Sequence, residues 1–272
     1  MSLTGFVRSY WRRAALSCLE WRLARQPLTV NLERANWPQS LQEPTAFYFD
    51  CLRYFLQKLP AELRAHRAYF HNVPGNRRGF GENPFHVMWF LLAREFRPAN
   101  FLEIGVFRGQ TISLMALLAR LEAEDCEVYG ISPFVPAGDA APFYRKGVDY
   151  YADTLANFDH FGLPHPKLVR AYSHEASALE LISSKKWDLV YIDGGHDYEV
   201  VRKDWEACSR AVRPGGLVVL DDSAANTAFR PQKFAASRGL PGPSRVADKI
   251  NRAQFHELLQ VGHNRVFQRA EV

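Results

Sequence analysis

The chain has 272 residues, 47% of them hydrophobic and 23% charged, and a formal net charge of +5 at pH 7. That composition suits a globular protein with a real apolar core and excludes disordered and fibrous classes; at about 150 residues per domain, the length fits one catalytic-sized domain with a substantial extension. The longest wholly apolar run, Val87 to Ala93, covers seven residues, far short of the roughly 20 that a membrane-spanning helix needs. The first 100 residues hold 14 Lys and Arg against 7 Asp and Glu, a balance of +7 that leaves −2 for the rest. No Lys/Arg cluster or nucleic-acid module accompanies this excess, so a solvated basic face is expected and nucleic-acid binding is not. Arg8, Arg12 and Arg13 precede no apolar stretch ending in a small-residue cleavage site, and Cys18, Cys51, Cys126 and Cys208 are isolated. A reducing, cytoplasmic setting is expected, without disulfides or a zinc site.

In chain order, the first third reads as helices and loops. Val7, Trp11, Ala14, Cys18 and Trp21 recur at spacings of three and four within Phe6 to Arg25, which is one helical face. Packing against the domain or a second subunit is expected of it, with a membrane surface as the alternative. Ala46 to Lys58 and Pro84 to Arg94 carry two more helical patterns, and residues 1–83 are expected to form a helical extension. From residue 99 strands alternate with helices: Asn100 to Ile104, Glu127 to Ile131, Lys167 to Ala171, Asp188 to Ile192 and Leu217 to Leu220 are short apolar runs, the signature of a parallel sheet. Phe255 to Val261 and Arg265 to Arg269 flank Gly262, His263 and Asn264, an antiparallel hairpin that closes it. A doubly wound α/β domain over residues 84–272 follows, with its ligands expected beyond the carboxyl ends of the strands.

After the first strand stands Glu103-Ile104-Gly105-Val106-Phe107-Arg108-Gly109-Gln110-Thr111. Gly105 and Gly109 allow a tight turn and close ligand approach, and the helix start offers free amide donors to an anion. The third glycine of a nicotinamide site is missing. The fourth strand ends in Asp193-Gly194-Gly195-His196-Asp197-Tyr198 and the fifth in Asp221-Asp222. Carboxylates on neighbouring strand ends converge and repel, which a hard divalent cation relieves; the alternative is that Asp197 caps the next helix and one of Asp221 and Asp222 caps a loop.

EIGVFRGQT, WDLVYIDGGHDY and RPGGLVVLDD, in this order from about residue 84 to the C-terminus, resemble the class I S-adenosylmethionine-dependent methyltransferases. Within them they resemble the metal-dependent O-methyltransferases. IDGGHDY is similar to the bacterial group that includes macrolide-sugar enzymes and a partner protein of cephalosporin tailoring. The resemblance implies a Rossmann-like, seven-stranded fold, with S-adenosylmethionine and a divalent metal, magnesium by preference, as cofactors. It implies Asp193, Asp221 and Asp222 as metal ligands, the last where catechol-type relatives have Asn, and His196 at the place of their catalytic lysine. A histidine there can act as general base, or it can bond the turn or the cofactor. Cofactor contacts carried over are Glu103 to the amino group, Gly105 and Gly109 by close approach, Phe107 and Asp193 beside it, Thr111 to the carboxylate and Ser173 near the adenine. Ser132 stands where most members have a ribose-binding acid, and a single hydroxyl is the weaker partner.

The expected function is O-methylation of a small hydroxylated acceptor, of sugar or natural-product type. Acceptor contacts are expected from Pro133 to Phe161, with Phe134, Phe143, Tyr144, Tyr150 and Tyr151, and from a lid between Ser223 and Arg245. The aromatics serve equally as the packing face of an inserted helix. A homo-oligomer through the N-terminal helices is compatible with the sequence. The rival function is a protein that keeps the fold and cofactor without transferring methyl groups; a dinucleotide oxidoreductase lacks both the third glycine and the second-strand acid.

Overall fold

The computed structural model describes residues 3–29, 31–71 and 78–271. Among the described residues, five α-helices and a short 3-10 turn (Arg34–Asn36) precede the first strand: α1 (Leu3–Leu23), α2 (Pro38–Gln42), α3 (Pro44–Gln57), α4 (Ala61–His71) and α5 (Asn83–Phe96). Prolines at the first or second positions of α2, α3 and α5 preset φ where no amide hydrogen is needed. The face expected to pack α1 is its outer one. Trp11, Ala14, Cys18 and Trp21 are exposed, and the helix is held through Leu19 and Leu23, clustered with Leu52 and Ala235; the side chain of Val7 lies outside the described residues. No described helix is long and apolar enough to cross a membrane.

The chain then alternates through β1 (Asn100–Ile104), α6 (Gln110–Leu121), β2 (Glu127–Ser132), α7 (Tyr150–His160), β3 (Lys167–Arg170), α8 (Ala176–Ser183), β4 (Trp187–Ile192), α9 (Tyr198–Ala211), β5 (Val212–Leu220) and α10 (Pro241–Lys249), and ends in the hairpin of β6 (Phe255–Val261) and β7 (Asn264–Arg269). The strands form one sheet in the order β3-β2-β1-β4-β5-β7-β6. β1 to β5 are parallel, and β7 runs antiparallel to both its neighbours. This is the doubly wound, mostly parallel architecture expected. β2, β3, β4 and β7 each differ from the expected bounds by one residue at one end, and β5 differs by more: it begins at Val212, before Arg213-Pro214-Gly215-Gly216, with a register shift opposite Trp187 and Leu189 absorbing those residues. β7 begins at Asn264, leaving Gly262 and His263 as a two-residue turn.

Side chains alternate across the strands. Phe101, Leu189 and Val219 face α5 and α6, whereas Leu102, Val190 and Val218 face α8, α9 and α10. Trp37, Phe47, Tyr48 and Leu63 belong to the first of these clusters, so the early helices share the core beneath the sheet. A buried polar chain ties α4, α5 and α6 together: His66 Nδ1 lies 3.1 Å from His86 Nε2, and His66 Nε2 lies 3.0 Å from Ser113 Oγ. Ser113 donates to the Gln110 carbonyl, so it accepts from His66 Nε2–H, and His86 Nε2–H then donates to His66 Nδ1. Burial holds both rings neutral, His66 being pulled down to about 3. The strand order reverses between β1 and β4, and a crevice opens beyond their carboxyl ends.

Candidate active site

Parallel pairing continues one residue past the strands. Gly105 N–H bonds Ile131 O at 2.8 Å, Asp193 N–H bonds Ile104 O at 2.8 Å, and Asp221 N–H bonds Ile192 O at 3.0 Å. The three residues are thereby fixed in adjacent rows at the crevice, which widens into a cavity of about 1740 Å³. Gly105 has φ 102°, and a Cβ there would sit 1.9 Å from the Asp193 carbonyl oxygen. The neighbouring strand's backbone therefore demands glycine, in addition to any ligand. Gly109 lies off the cavity wall: it starts α6 in the left-handed region and a Cβ would meet Thr154 at 2.7 Å, so its place is in packing α6 against α7.

Glu103, Phe107, Thr111, Ser132 and Ser173 all line the cavity. The Glu103 carboxylate takes a hydrogen bond from the Ile112 amide at the start of α6, and burial raises it to about 8. Its second oxygen, Oε2, is buried with no hydrogen-bond partner. An orphaned carboxylate oxygen on a cavity wall fits a ligand ammonium, since leaving it unmet costs about 1–3 kcal/mol. Phe107 packs among Phe80, Tyr144 and Tyr150 with ring centroids 4.9 to 5.1 Å away. Ser132 is buried; it accepts from the Phe134 amide at 3.4 Å and hydrogen-bonds Tyr144. Ser173 bonds the Asp204 carboxylate of α9.

Asp193, Asp221, Asp222 and His196 meet on the same wall. Burial, then Asp221, drives Asp193 well up, and the two side chains share a hydrogen bond. Burial also works to raise Asp221, but His263 and the Asp193 bond outweigh it and hold Asp221 low. Asp222, raised by burial and by Asp221 to about 6, adopts φ 48°, a left-handed conformation that Asp tolerates better than most residues. His196 Nδ1 lies 2.5 Å from Asp139 Oδ2, and its Nε2 is 3.4 Å from Asp222 Oδ2. Asp197 caps α9, accepting from the Glu199 amide at 2.9 Å.

Three members of this site carried no signal in the sequence. His263, in the β6–β7 turn, is buried with Nε2 3.4 Å from Asp221 Oδ1 and 3.7 Å from Asp222 Oδ1. Burial pulls its pKa down, yet Glu82, Asp221 and Asp222 outweigh that and raise it to about 10. Glu82 enters from the residue before α5, 3.9 Å from His263 Nδ1. Asp139 enters from the segment between β2 and α7. Asp221, Asp222 and His263 each offer a donor atom within 4.8 Å of the others, a set chemically suited to a divalent cation. Of the aromatics expected around the acceptor, Phe134 and Tyr150 are buried in the core, while Phe143 and Tyr144 line the cavity. Opposite them stand Leu16 and Glu20 of α1, Tyr48 and Phe55 of α3, and Phe234 and Arg238 between β5 and α10.

A family model described as a methyltransferase domain matches residues 102–223. An uncharacterized protein, R132, of Acanthamoeba polyphaga mimivirus is 26% identical over 125 residues, 45% of this chain and 51% of that protein; the chain spans about half the length of the curated relative it matches. The SAH-bound Podospora anserina methyltransferase PaMTH1 has a similar structure, with TM-score 0.54 and 13% identity over 79% of this chain and 89% of that one. So does a putative caffeoyl-CoA O-methyltransferase from Staphylococcus aureus, with TM-score 0.54 and 14% identity over 78% and 93%. Identities this low speak to the fold alone. Sheet order and strand-end residues agree with the family match, which runs from within β1 to just past β5 over residues 102–223 and marks that part of the chain as similar to methyltransferase domains.

Proposed function

We propose that the chain transfers a methyl group from S-adenosylmethionine to a hydroxyl of a small-molecule acceptor, assisted by a divalent cation. The observation that carries this reading is the convergence of the orphaned Glu103 carboxylate with Asp193, Asp221, Asp222 and His196 on one cavity wall. When bound, S-adenosylmethionine supplies an electrophilic sulfonium methyl, and the cation favours the deprotonated acceptor oxygen. Glu103 would receive the methionine ammonium, and Thr111 at the start of α6 its carboxylate. Ser132 and Ser173 would border the ribose and the adenine. Asp193, Asp221 and Asp222 would hold the cation, magnesium by resemblance.

His196 would take the acceptor's proton. Its Nδ1–H donates to Asp139 at 2.5 Å, which leaves the Nε2 lone pair on the side of Asp222 and the cavity; Asp139 also stabilises the imidazolium once the proton has arrived. The acceptor would lie between Phe143 and Tyr144 on one side and α1 and α3 on the other, which gives the early helices a part in choosing it. The test is methyl transfer to a library of hydroxylated acceptors, with a chelator and with magnesium or manganese restored. The reading expects activity that stops with the chelator and returns with the cation. Full activity in metal-free protein would remove the cation from it, and S-adenosylmethionine binding without transfer to any acceptor would favour the non-catalytic rival.

A further inference from the structure

We propose that Asp221, Asp222 and His263 form a mixed oxygen and nitrogen site for a divalent transition-metal ion, with the Ser237 carbonyl and, as a charge partner, the Glu82 carboxylate orienting His263. The proposal rests on the metal-assisted reading above and changes both its ligands and its metal. Ligand atoms about 2.1 Å from one octahedral ion lie roughly 3 Å apart when adjacent and roughly 4.2 Å when opposite. His263 Nε2 stands 3.4 Å from Asp221 Oδ1 and 3.7 Å from Asp222 Oδ1, so the three atoms are spaced to share an ion.

The imidazole is fixed in place. The turn that carries it is pinned by the pairing of Arg265 with Leu220 and by the Ser223 amide bonding the His263 carbonyl at 2.8 Å. Phe85 packs edge-on against the ring, with centroids 4.7 Å apart. The far nitrogen, Nδ1, faces the Ser237 carbonyl at 3.4 Å and the Glu82 carboxylate at 3.9 Å. Metal-bound histidines typically give their second N–H to such a carbonyl or carboxylate, which sets the tautomer. Glu82 is itself held by the Ser237 amide at 3.3 Å.

A second observation points to a ligand: Asp221 Oδ1, buried on the cavity wall, has the His263 imidazole as an ion-pair partner 3.4 Å away but no well-aligned hydrogen bond. Asp193 hydrogen-bonds Asp221 and in this arrangement braces that carboxylate from behind. An imidazole nitrogen beside two carboxylates suits manganese, iron, cobalt or zinc better than magnesium, which prefers oxygen throughout. On binding, the ion replaces the proton that Nε2 directs at the carboxylates.

The experiment is manganese titration of the metal-free full chain, followed by electron spin-echo spectroscopy of the bound ion. The expected results are one bound manganese with ¹⁴N coupling, affinity at least tenfold above that for magnesium, and loss of the coupling in His263→Ala with retention in His196→Ala. Glu82→Gln, which keeps a neutral polar side chain in place, should weaken manganese about tenfold or more. Manganese bound without ¹⁴N coupling, or coupling that survives in His263→Ala and vanishes in His196→Ala, would overturn the role of His263 while sparing the carboxylate site. No bound manganese in the wild type would overturn the metal-assisted reading as well. Circular dichroism of each variant separates lost ligation from lost folding.

Discussion

Glu103 is where binding and stability can be separated at a single side chain. Glu103→Gln keeps its size but cannot take on the negative charge that pairs with a ligand ammonium, so the S-adenosylmethionine dissociation constant should rise tenfold or more, about 1.4 kcal/mol, in a chain that still folds; calorimetry reads this. The same residue makes a pH prediction. Its carboxyl is raised from 4.5 to about 8 in the fold, so the folded chain holds a proton that the unfolded chain releases across that window. That contribution to stability is complete below about pH 4.5 and is lost as the pH rises to about 8. Denaturation of wild type and Glu103→Gln side by side should show the difference moving in the variant's favour over this range and levelling off above it. Gly105 is a poorer probe of binding, because a Cβ there strikes the Asp193 carbonyl at 1.9 Å, and its substitution would disturb fold and site together. Asp139 tests the base: Asp139→Ala should lower kcat by about 10- to 100-fold with cofactor affinity unchanged, and Asp139→Asn, which keeps a carbonyl to accept Nδ1–H, should recover much of it. Equal kcat in both variants and wild type would leave His196 without this partner.

Among the elements, β1 to β4, β6 and the helices between them were legible because apolar runs bounded by turn residues leave few alternatives. α4 was not. Its buried side chains include His66 and Arg67, so the polar chain through His86 and Ser113 replaces the apolar stripe that marks a helix. That chain has its own pH signature. His66 is lowered from 6.5 to about 3, so the unfolded state takes up a proton that the folded state refuses, and stability falls as the pH drops from about 6.5 toward 3. His66→Gln should cost about 1–2 kcal/mol at neutral pH and show a shallower loss on acidification, measured by urea denaturation at each pH. The start of β5 was hidden for a different reason: Pro214-Gly215-Gly216 carries turn chemistry, and only pairing with β4 recruits it into the sheet. The carboxylates after β4 and β5 could be placed from strand order alone, whereas His263 could not. The hairpin turn was visible, but what its tip touches depends on how β7 docks against β5.

At the scale of the whole molecule, the strand-order reversal, the continuous ladder through Gly105, Asp193 and Asp221, and helices on both faces converge on one cavity. A ligand that fits there binds only the folded chain, so S-adenosylmethionine at 100 times its dissociation constant should add about 2.7 kcal/mol to unfolding; denaturation midpoints with and without it check this. The cavity side proposed for the acceptor was the least legible part of the sequence, because its walls come from α1, α3 and the segments after β2 and β5, which are distant in sequence and have no shared motif. The crevice beyond β1 and β4 is proposed to be an S-adenosylmethionine site. Calorimetric titration of the wild-type chain with S-adenosylmethionine and, in parallel, with NAD decides this: saturable binding of one S-adenosylmethionine per chain and none of NAD is expected, and binding of NAD alone, or of neither, would contradict it.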